Sequence, residues 1–252
     1  MLSPGFSINS SNAAFAAGNA NTASGNESVA LGRNTIASGN QSVAMGDNVE
    51  ATNTGSIAIG DKDVALKGIS SGLHSVMIGK NGLASGNYSI AIGLANNATA
   101  DYALATGQNS DATGLHSFAH GLNSTASGVR SFSNGWGTTA SGANAWAGGK
   151  DSIASADRSF AFGLEVKADD VNMVAFGKYN KLNTGNNSIF QVGIGASDAA
   201  RANAFDIHAD GIILLEALKN SSSYASDLDA GLGGVEIGGL YRNGNDVKIR
   251  MT

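Results

Sequence analysis

A five-residue phrase recurs along this chain at an almost constant spacing. SVALG at residues 28–32 returns fourteen residues later as SVAMG at residues 42–46. The phrase occurs twelve times, and ten of the eleven steps between copies are fourteen residues long; the step from Ser56 to Ser75 is nineteen. Such periodicity indicates a repeat architecture in which each copy forms one structural unit.

Glycine occupies the fifth place of the phrase in every copy, although the chain has only 35 glycines among 252 residues. We predict that these are turn glycines, which supply the positive φ that a sharp corner needs. They are Gly18, Gly32, Gly46, Gly60, Gly79, Gly93, Gly107, Gly121, Gly135, Gly149, Gly163 and Gly177.

The middle of the phrase predicts a β-strand, because a small third place alternates with second and fourth places that are mostly bulky. A second phrase, Ala-Ser-Gly, begins nine residues after the opening in several copies and predicts a second short strand. Fourteen residues are too few for a repeat that contains a helix. The predicted fold class is therefore all-β, a β-solenoid of about twelve two-sheeted turns, roughly 55–60 Å long at ~4.8 Å per turn.

Composition excludes several other classes of protein. A glycine-rich chain with one proline and 14% charged residues fits neither collagen nor a disordered linker. The absence of cysteine excludes disulfides and thiolate metal sites. A net charge of −5 without a basic stripe predicts no nucleic-acid partner. The sequence has no apolar run of about 18 residues and no secretory signal at residues 1–18, so we expect no membrane insertion.

The sizes of the side chains predict an oligomer. Alanine and serine columns fit the space between two closely packed sheets, so the bulky columns must point outward as a continuous apolar stripe. A soluble monomer does not expose such a stripe, whereas a symmetric oligomer buries it. The predicted interface residues are Val29, Leu31, Val43, Met45, Ile57, Ile59, Val76, Ile78, Ile90, Ile92, Phe118, His120, Phe132, Trp146, Phe160, Phe162, Val174 and Phe176.

The repeated phrase, from residue 14 to about residue 187, resembles the head domain of the YadA-like trimeric autotransporter adhesins. That resemblance implies a left-handed parallel β-roll and a homotrimer of three rolls packed side by side. A second interpretation is an antifreeze-like or other short-repeat β-solenoid, although such proteins usually show a regular polar ladder.

The C-terminal part resembles phage tail fibres in residues 186–215. The matching phrases are FQVGIG at 190–195, RANAFDI at 201–207 and Asp210-Gly211. Beyond them we predict a short helix within Ser221–Leu232 and two strands, Val235–Arg242 and Asp246–Met251, joined at Asn243-Gly244, a strong hairpin signal. The predicted division is an N-terminal segment 1–13, head repeats 14–187 and a C-terminal β-rich domain 188–252.

These features predict a homotrimeric phage fibre that attaches a virion to its host. The expected partners are other tail or baseplate proteins and a bacterial surface receptor, which includes a glycan as one candidate. The alternative is the head of a bacterial trimeric autotransporter adhesin at the cell surface. No catalytic constellation stands out, so we expect no enzyme activity and no cofactor.

Two sets of residues stand out as candidate contacts. In three consecutive turns the fourth place is polar, with Thr106, His120 and Asn134, and Gly148 follows. Either these residues compensate for larger neighbours in the second place, or three His120 rings form a polar shaft on a three-fold axis; no metal is expected there. Candidate receptor or docking contacts are Lys62, Asp63 and Lys67 in the nineteen-residue turn and Tyr241, Arg242 and Asn243 at the hairpin tip.

Overall fold

A computed structural model describes residues 6–9, 12–61, 68–182 and 187–215, and in the C-terminal part 230, 233, 235–236, 239–243 and 246–249. The described residues contain 29 strands. The strands are β1 Phe6–Asn9, β2 Ala14–Asn19, β3 Thr22–Ala23, β4 Val29–Arg33, β5 Ile36–Ala37, β6 Val43–Asp47, β7 Val49–Ala51, β8 Ile57–Asp61, β9 Gly68–Ser70, β10 Val76–Lys80, β11 Leu83–Ala84, β12 Ile90–Leu94, β13 Asn97–Ala98, β14 Leu104–Gln108, β15 Asp111–Ala112, β16 Phe118–Leu122, β17 Thr125–Ala126, β18 Phe132–Trp136, β19 Thr139–Ala140, β20 Trp146–Lys150, β21 Ile153–Ala154, β22 Phe160–Leu164, β23 Lys167–Ala168, β24 Val174–Lys178, β25 Ser188–Ile194, β26 Asn203–His208, β27 Ile213–Leu215, β28 Leu240–Asn243 and β29 Asp246–Ile249.

All but two of the strands form two stacked sheets, which confirms the predicted all-β solenoid of about twelve turns; β28 and β29 form a separate two-stranded sheet. The first sheet has sixteen strands and runs from β1 through the even-numbered strands β2 to β24 and on to β25, β26 and β27. The second sheet has eleven strands, the odd-numbered β3 to β23. From β2 to β25 the first sheet is parallel, and residues at the same place of successive repeats pair directly, as Gly32 does with Gly46.

The space between the sheets is filled mainly by alanine. Ala30, Ala44 and Ala119, from the third place of the phrase, are fully buried, as are Ala37 and Ala84 from the second sheet. Small side chains allow the two sheets to approach closely, so larger residues must point away from this interior.

Met77 is the one bulky residue in the third place, and it is also fully buried. It lies against two glycines: a Cβ built on Gly68 would come 2.7 Å from its Cε, and one on Gly82 would come 3.1 Å from its Cγ. Gly68 belongs to the nineteen-residue repeat, on β9, and Gly82 belongs to the repeat that follows it. The larger side chain is therefore matched by smaller neighbours, and the interior stays filled.

The fifth-place glycines are required by the stacking of turns. All twelve have positive φ, such as +122° at Gly121, and a Cβ there would lie 2.0 Å from the carbonyl oxygen of Gly135, one turn along. No real Cβ fits at that distance. The ladder of glycines therefore lets one backbone turn lie directly on the next.

The left-handed corners belong to other residues, which the sequence interpretation did not foresee. Glu27 and Asn34 have φ near +56° and +52°, and this pattern repeats every seven residues along most of the solenoid. Asparagine tolerates this conformation well. At both corners the backbone N–H donates to a carbonyl of the preceding turn, as the N–H of Gln41 does to the carbonyl of Asn26 at 2.6 Å. These inter-turn hydrogen bonds stabilise the left-handed conformation even where the residue is not glycine.

The repeat continues beyond the twelve copies read from the sequence. β25 pairs in parallel with β24, and Phe190 lies beside Val174 after a step of sixteen residues rather than fourteen. β26 and β27 then add antiparallel strands, as β1 does at the other end of the sheet. The first sheet thus runs across the predicted boundary at residues 187 and 188.

Residues of the RANAFDI phrase form hydrogen bonds that join the C-terminal end of the first sheet to the preceding turns of the solenoid. The Arg201 side chain is nearly buried and donates to the carbonyl oxygens of Glu165, at 2.9 Å, and Asn180, at 3.2 Å. Its hydrogen bond and charge also lower the pKa of the Asp198 carboxyl. The Asn203 side chain accepts a hydrogen bond from the backbone N–H of Lys181 at 2.9 Å.

The C-terminal hairpin is present, and its first strand begins later than predicted, at Leu240; residues 250 and 251 lie outside the described residues. β28 pairs antiparallel with β29, and Asn243 lies opposite Asp246. Val235 lies outside the strand because its N–H donates instead to the carbonyl of Ala230. Most of the segment in which we predict a helix, Ser221–Leu232, is outside the described residues.

Replacing Gly121 with alanine should destabilise the roll by roughly 4 kcal/mol or more, because the new methyl group collides with backbone that cannot move aside. The matched control is Gly211→Ala. Gly211 also has positive φ but nothing within 4 Å of its Cβ position, so only the left-handed backbone penalty of about 1–2 kcal/mol applies. Denaturant unfolding of the two variants measures the difference, and equal losses would contradict the steric explanation.

Candidate functional site

The outward surface of the first sheet, which we call the outer face, carries the second- and fourth-place side chains of the phrase and those of the residue after its glycine, which we call the sixth place. The structure places all eighteen predicted interface residues there, because they alternate with buried residues along the strands. Second-place residues such as Val29 and Ile90 are half-buried. Fourth-place residues stand further out, and Ile92 and Phe162 are 41% and 45% exposed.

A row of aromatic rings runs along the outer face through neighbouring strands. Phe118, Phe132, Trp146 and Phe160 contact one another edge to face, with ring centroids 4.9–5.1 Å apart. Each such contact contributes about 0.5–1.5 kcal/mol beyond the burial of apolar area. The rings stabilise the single chain, yet they also leave a broad apolar surface exposed.

The apolar surface extends further than the sequence interpretation indicated. Phe190 and Phe205 continue the aromatic row past Phe176, with centroid distances of 6.1 Å and 5.9 Å. The FQVG phrase matches the fifth-place glycine pattern, but it follows the previous copy after sixteen residues and so departs from the fourteen-residue period.

The sixth place adds a third column, at the edge of the outer face. Its middle part is largely apolar, and Trp136, 51% exposed, lies 4.3 Å from the Lys150 ammonium that covers one side of its ring. Its first turns are polar, since Arg33 pairs with Asp47. That hydrogen bond and charge raise the pKa of the Arg33 guanidinium above its ordinary value.

The polar fourth-place residues are accommodated within the chain. Thr106 Oγ1 and His120 Nδ1 form a hydrogen bond of 2.8 Å across adjacent strands. Gly148 leaves room for a ring from the next strand, because a Cβ there would lie 2.5 Å from Phe162 Cδ2. These contacts favour the interpretation that small or polar residues compensate for large neighbours. Within the described part of the chain, no cluster of three metal-binding side chains occurs.

Replacing His120 with valine should leave the melting temperature of the assembled protein unchanged or raise it, because an apolar residue suits the surrounding face. The control is the double variant Thr106→Val with His120→Val, which also removes the partner hydroxyl. Thermal unfolding followed by circular dichroism measures both. A clear fall in melting temperature in both variants would instead indicate a polar shaft that needs the imidazole.

The candidate receptor contacts are only partly visible. Lys62, Asp63 and Lys67 lie outside the described residues, and so do the side chains of Tyr241 and Arg242, although both residues belong to β28. Asn243 is half-buried at the end of that strand. Their role in binding stays a prediction.

The outward surface of the second sheet carries both polar and aliphatic residues. Alongside Thr125 and Asn97 it presents Ile36, Leu83 and Ile153, all half-buried. These aliphatic residues are interrupted by polar ones, so they form no continuous stripe. Scattered apolar residues of this kind are normal on a protein surface.

The fold places this protein in the class of short-repeat parallel β-solenoids, and one face of its solenoid is apolar. The sequence matches the YadA head domain repeat (2 copies) family over residues 10–35, 23–49, 37–62, 84–110, 112–138, 133–155 and 140–165. These ranges cover more than half of the chain, and the chain therefore belongs to this family. The matched ranges leave out residues 63–83, which include most of the nineteen-residue repeat.

Comparison with curated protein sequences gave no match. In the part of the chain that the structure describes, no helix is both long enough and apolar enough to cross a membrane.

Proposed function

We propose that this chain is the adhesive head of a homotrimeric fibre, displayed on a virion, that attaches the particle to a host cell. The apolar outer face is the observation that supports this proposal. Its apolar columns run along the thirteen parallel strands from β2 to β25, and burial of such a surface between copies is the ordinary way to remove it from water. Closed rotational symmetry limits the number of copies, and membership of the YadA head repeat family favours three.

The virion is favoured by the resemblance of residues 186–215 to phage tail fibres. In this chain the segment caps the solenoid through Arg201 and Asn203 and carries Phe205 in the aromatic row. The alternative carrier is a bacterial cell surface, where the family repeat would serve a trimeric autotransporter adhesin. Both carriers place the head on an external surface.

We also propose that the head acts without catalysis and without a cofactor. Glycoside hydrolysis, the enzymatic alternative for a fibre, needs two carboxylates within about 5–10 Å of each other. On the outward surface of the second sheet, Glu50 on β7 and Asp111 on β15 have three strands between them, about 19 Å at the usual strand spacing, which is too far for such a pair. On the first sheet Asp47 and Asp61 occupy the same place on adjacent strands, but Asp47 is paired with Arg33. Receptor binding by several copies gains strength from multivalency instead.

Replacing Ile92 with glutamate should dissociate the trimer, because it puts a charge into the centre of the apolar face. A charge that is buried there without a partner destabilises the assembly by roughly 3–5 kcal/mol. Light scattering should show the mass fall from three times 25.2 kDa to that of one chain. The control, Thr125→Glu, changes the second sheet and should stay trimeric. A wild-type protein that is monomeric at micromolar concentration would contradict the proposal.

Soluble trimer should block adsorption of the virion that carries this chain, since it occupies the same receptor. The dissociated Ile92→Glu variant should block about a hundredfold less well, as expected when multivalency is lost. Immunogold labelling of purified virions tests the carrier. Labelling of the producing bacterium's outer membrane, with none on virions, would support the autotransporter alternative and contradict the virion proposal.

A further inference from the structure

Two rows of side chains lie at opposite edges of the outer face. The edge row consists of the sixth-place residues, which in the middle of the solenoid are Leu94, Gln108, Leu122 and Trp136. The corner row consists of the left-handed corner residues that precede each phrase, here Tyr88, Tyr102, His116 and Arg130. The apolar members of both rows in this region are exposed, including Leu94, Leu122, Tyr88 and Tyr102.

The corner row is a stack of rings. His74, Tyr88, Tyr102 and His116 lie face to face with centroids 4.7–5.4 Å apart, and the two tyrosine rings are within 3° of parallel. The tyrosines are still 46% and 52% exposed. Because each inner ring face is covered by its neighbour, the stack presents ring edges and hydroxyls, a poor platform for stacking a sugar but a suitable surface for packing against side chains.

The two rows lie at matching levels along the solenoid. In each complete turn the corner residue comes six positions before the edge residue, and an extended strand such as β14 separates them. Each turn therefore has one corner residue and one edge residue at the same height along the solenoid axis, which we call a level. Tyr88 shares a level with Leu94, His116 with Leu122, and Arg130 with Trp136. Near the N-terminal end Glu27 shares a level with Arg33, and these two residues carry opposite charges.

Rotation about an axis parallel to the solenoid brings unlike edges together without changing the level. If the outer faces of three copies surround the axis, the corner row of each copy meets the edge row of the next. The side chains that meet at each level are then compatible. Glu27 of one copy meets Arg33 of the next, and Tyr88 meets Leu94. Arg130 meets Trp136, which forms a favourable cation–π pair. No level between Glu27 and Lys178 brings together two residues of the same formal charge, with histidine neutral.

We propose that the corner row of one copy packs against the edge row of its neighbour, so that the aromatic stack is an inter-copy contact rather than a receptor site. This inference rests on the homotrimer proposed above. It adds which surfaces meet and in which register: unlike edges, at equal levels.

The chain has no native cysteine, so disulfide trapping tests the contact cleanly. The variant Tyr102→Cys with Gln108→Cys places one thiol in each row at the same level. A disulfide needs Cα atoms within about 7 Å. In one chain β14 lies between the two positions, and its five residues span about 13 Å from first to last Cα, so any link must join two chains. Mild oxidation of the full-length trimer should give a covalent trimer on a non-reducing gel.

Three controls define the register. Each single cysteine variant should stay uncrosslinked, because like edges do not meet in this arrangement. The pair Tyr102→Cys with Trp136→Cys, displaced by two turns, should also fail to link.

Two outcomes would overturn the inference. Dimers from either single variant would mean that like edges meet. A double variant that is trimeric by light scattering, links no chains and reacts as fast with maleimide as a cysteine at Thr125 would mean that the corner is free for a receptor. Either result leaves the homotrimer itself intact, whereas a monomeric wild type contradicts the proposed function directly.

Discussion

The direct stacking of one backbone turn on the next is the constraint on which the rest of the structure depends. At the fifth place a Cβ would lie about 2 Å from the carbonyl of the following turn, as at Gly121, so glycine alone is accepted there. The interior is equally restrictive, because fully buried alanines such as Ala30 and Ala119 hold the two sheets close together. Polar side chains help at the corner: Asn96 Nδ2 donates to the carbonyl oxygen of Gly107 at 2.8 Å. Such bonds satisfy carbonyls that the ladder would otherwise leave partly unpaired.

This close packing determines what the surface must do. A solenoid with a thin alanine interior buries little apolar area within one chain. Its large side chains therefore lie on the outer face. Rings such as Phe132 and Trp146 contact each other there but stay partly exposed to water. The same geometry that makes the single chain regular therefore makes it incomplete. The homotrimer that we propose would bury this surface along the whole aromatic row, which extends to Phe190 and Phe205.

Much of the fold follows from the repeat, and the departures have local physical causes. The fourteen-residue period predicted the pairing of Gly32 with Gly46, since side-chain alternation fixes register in a parallel stack. The strand at Phe190 was missed because its step is sixteen residues. The corners at Glu27 and Asn34 were missed because their left-handed conformation is held by inter-turn hydrogen bonds, for which residue type is a weak signal. The edge row was missed because only its middle is apolar, so that Trp136 looks like an isolated surface residue.

The sequence by itself determined the repeat unit, the alternation of small and bulky places, and hence a β-solenoid with one apolar face. A strict period carries this information because every turn must satisfy the same steric conditions. Only the tertiary structure decided where the solenoid ends, how Arg201 fastens the antiparallel cap, and that the rings of Tyr88 and Tyr102 stack at a corner. These features depend on contacts between residues far apart in the chain or one whole turn apart, and no local pattern records which side chains then face each other.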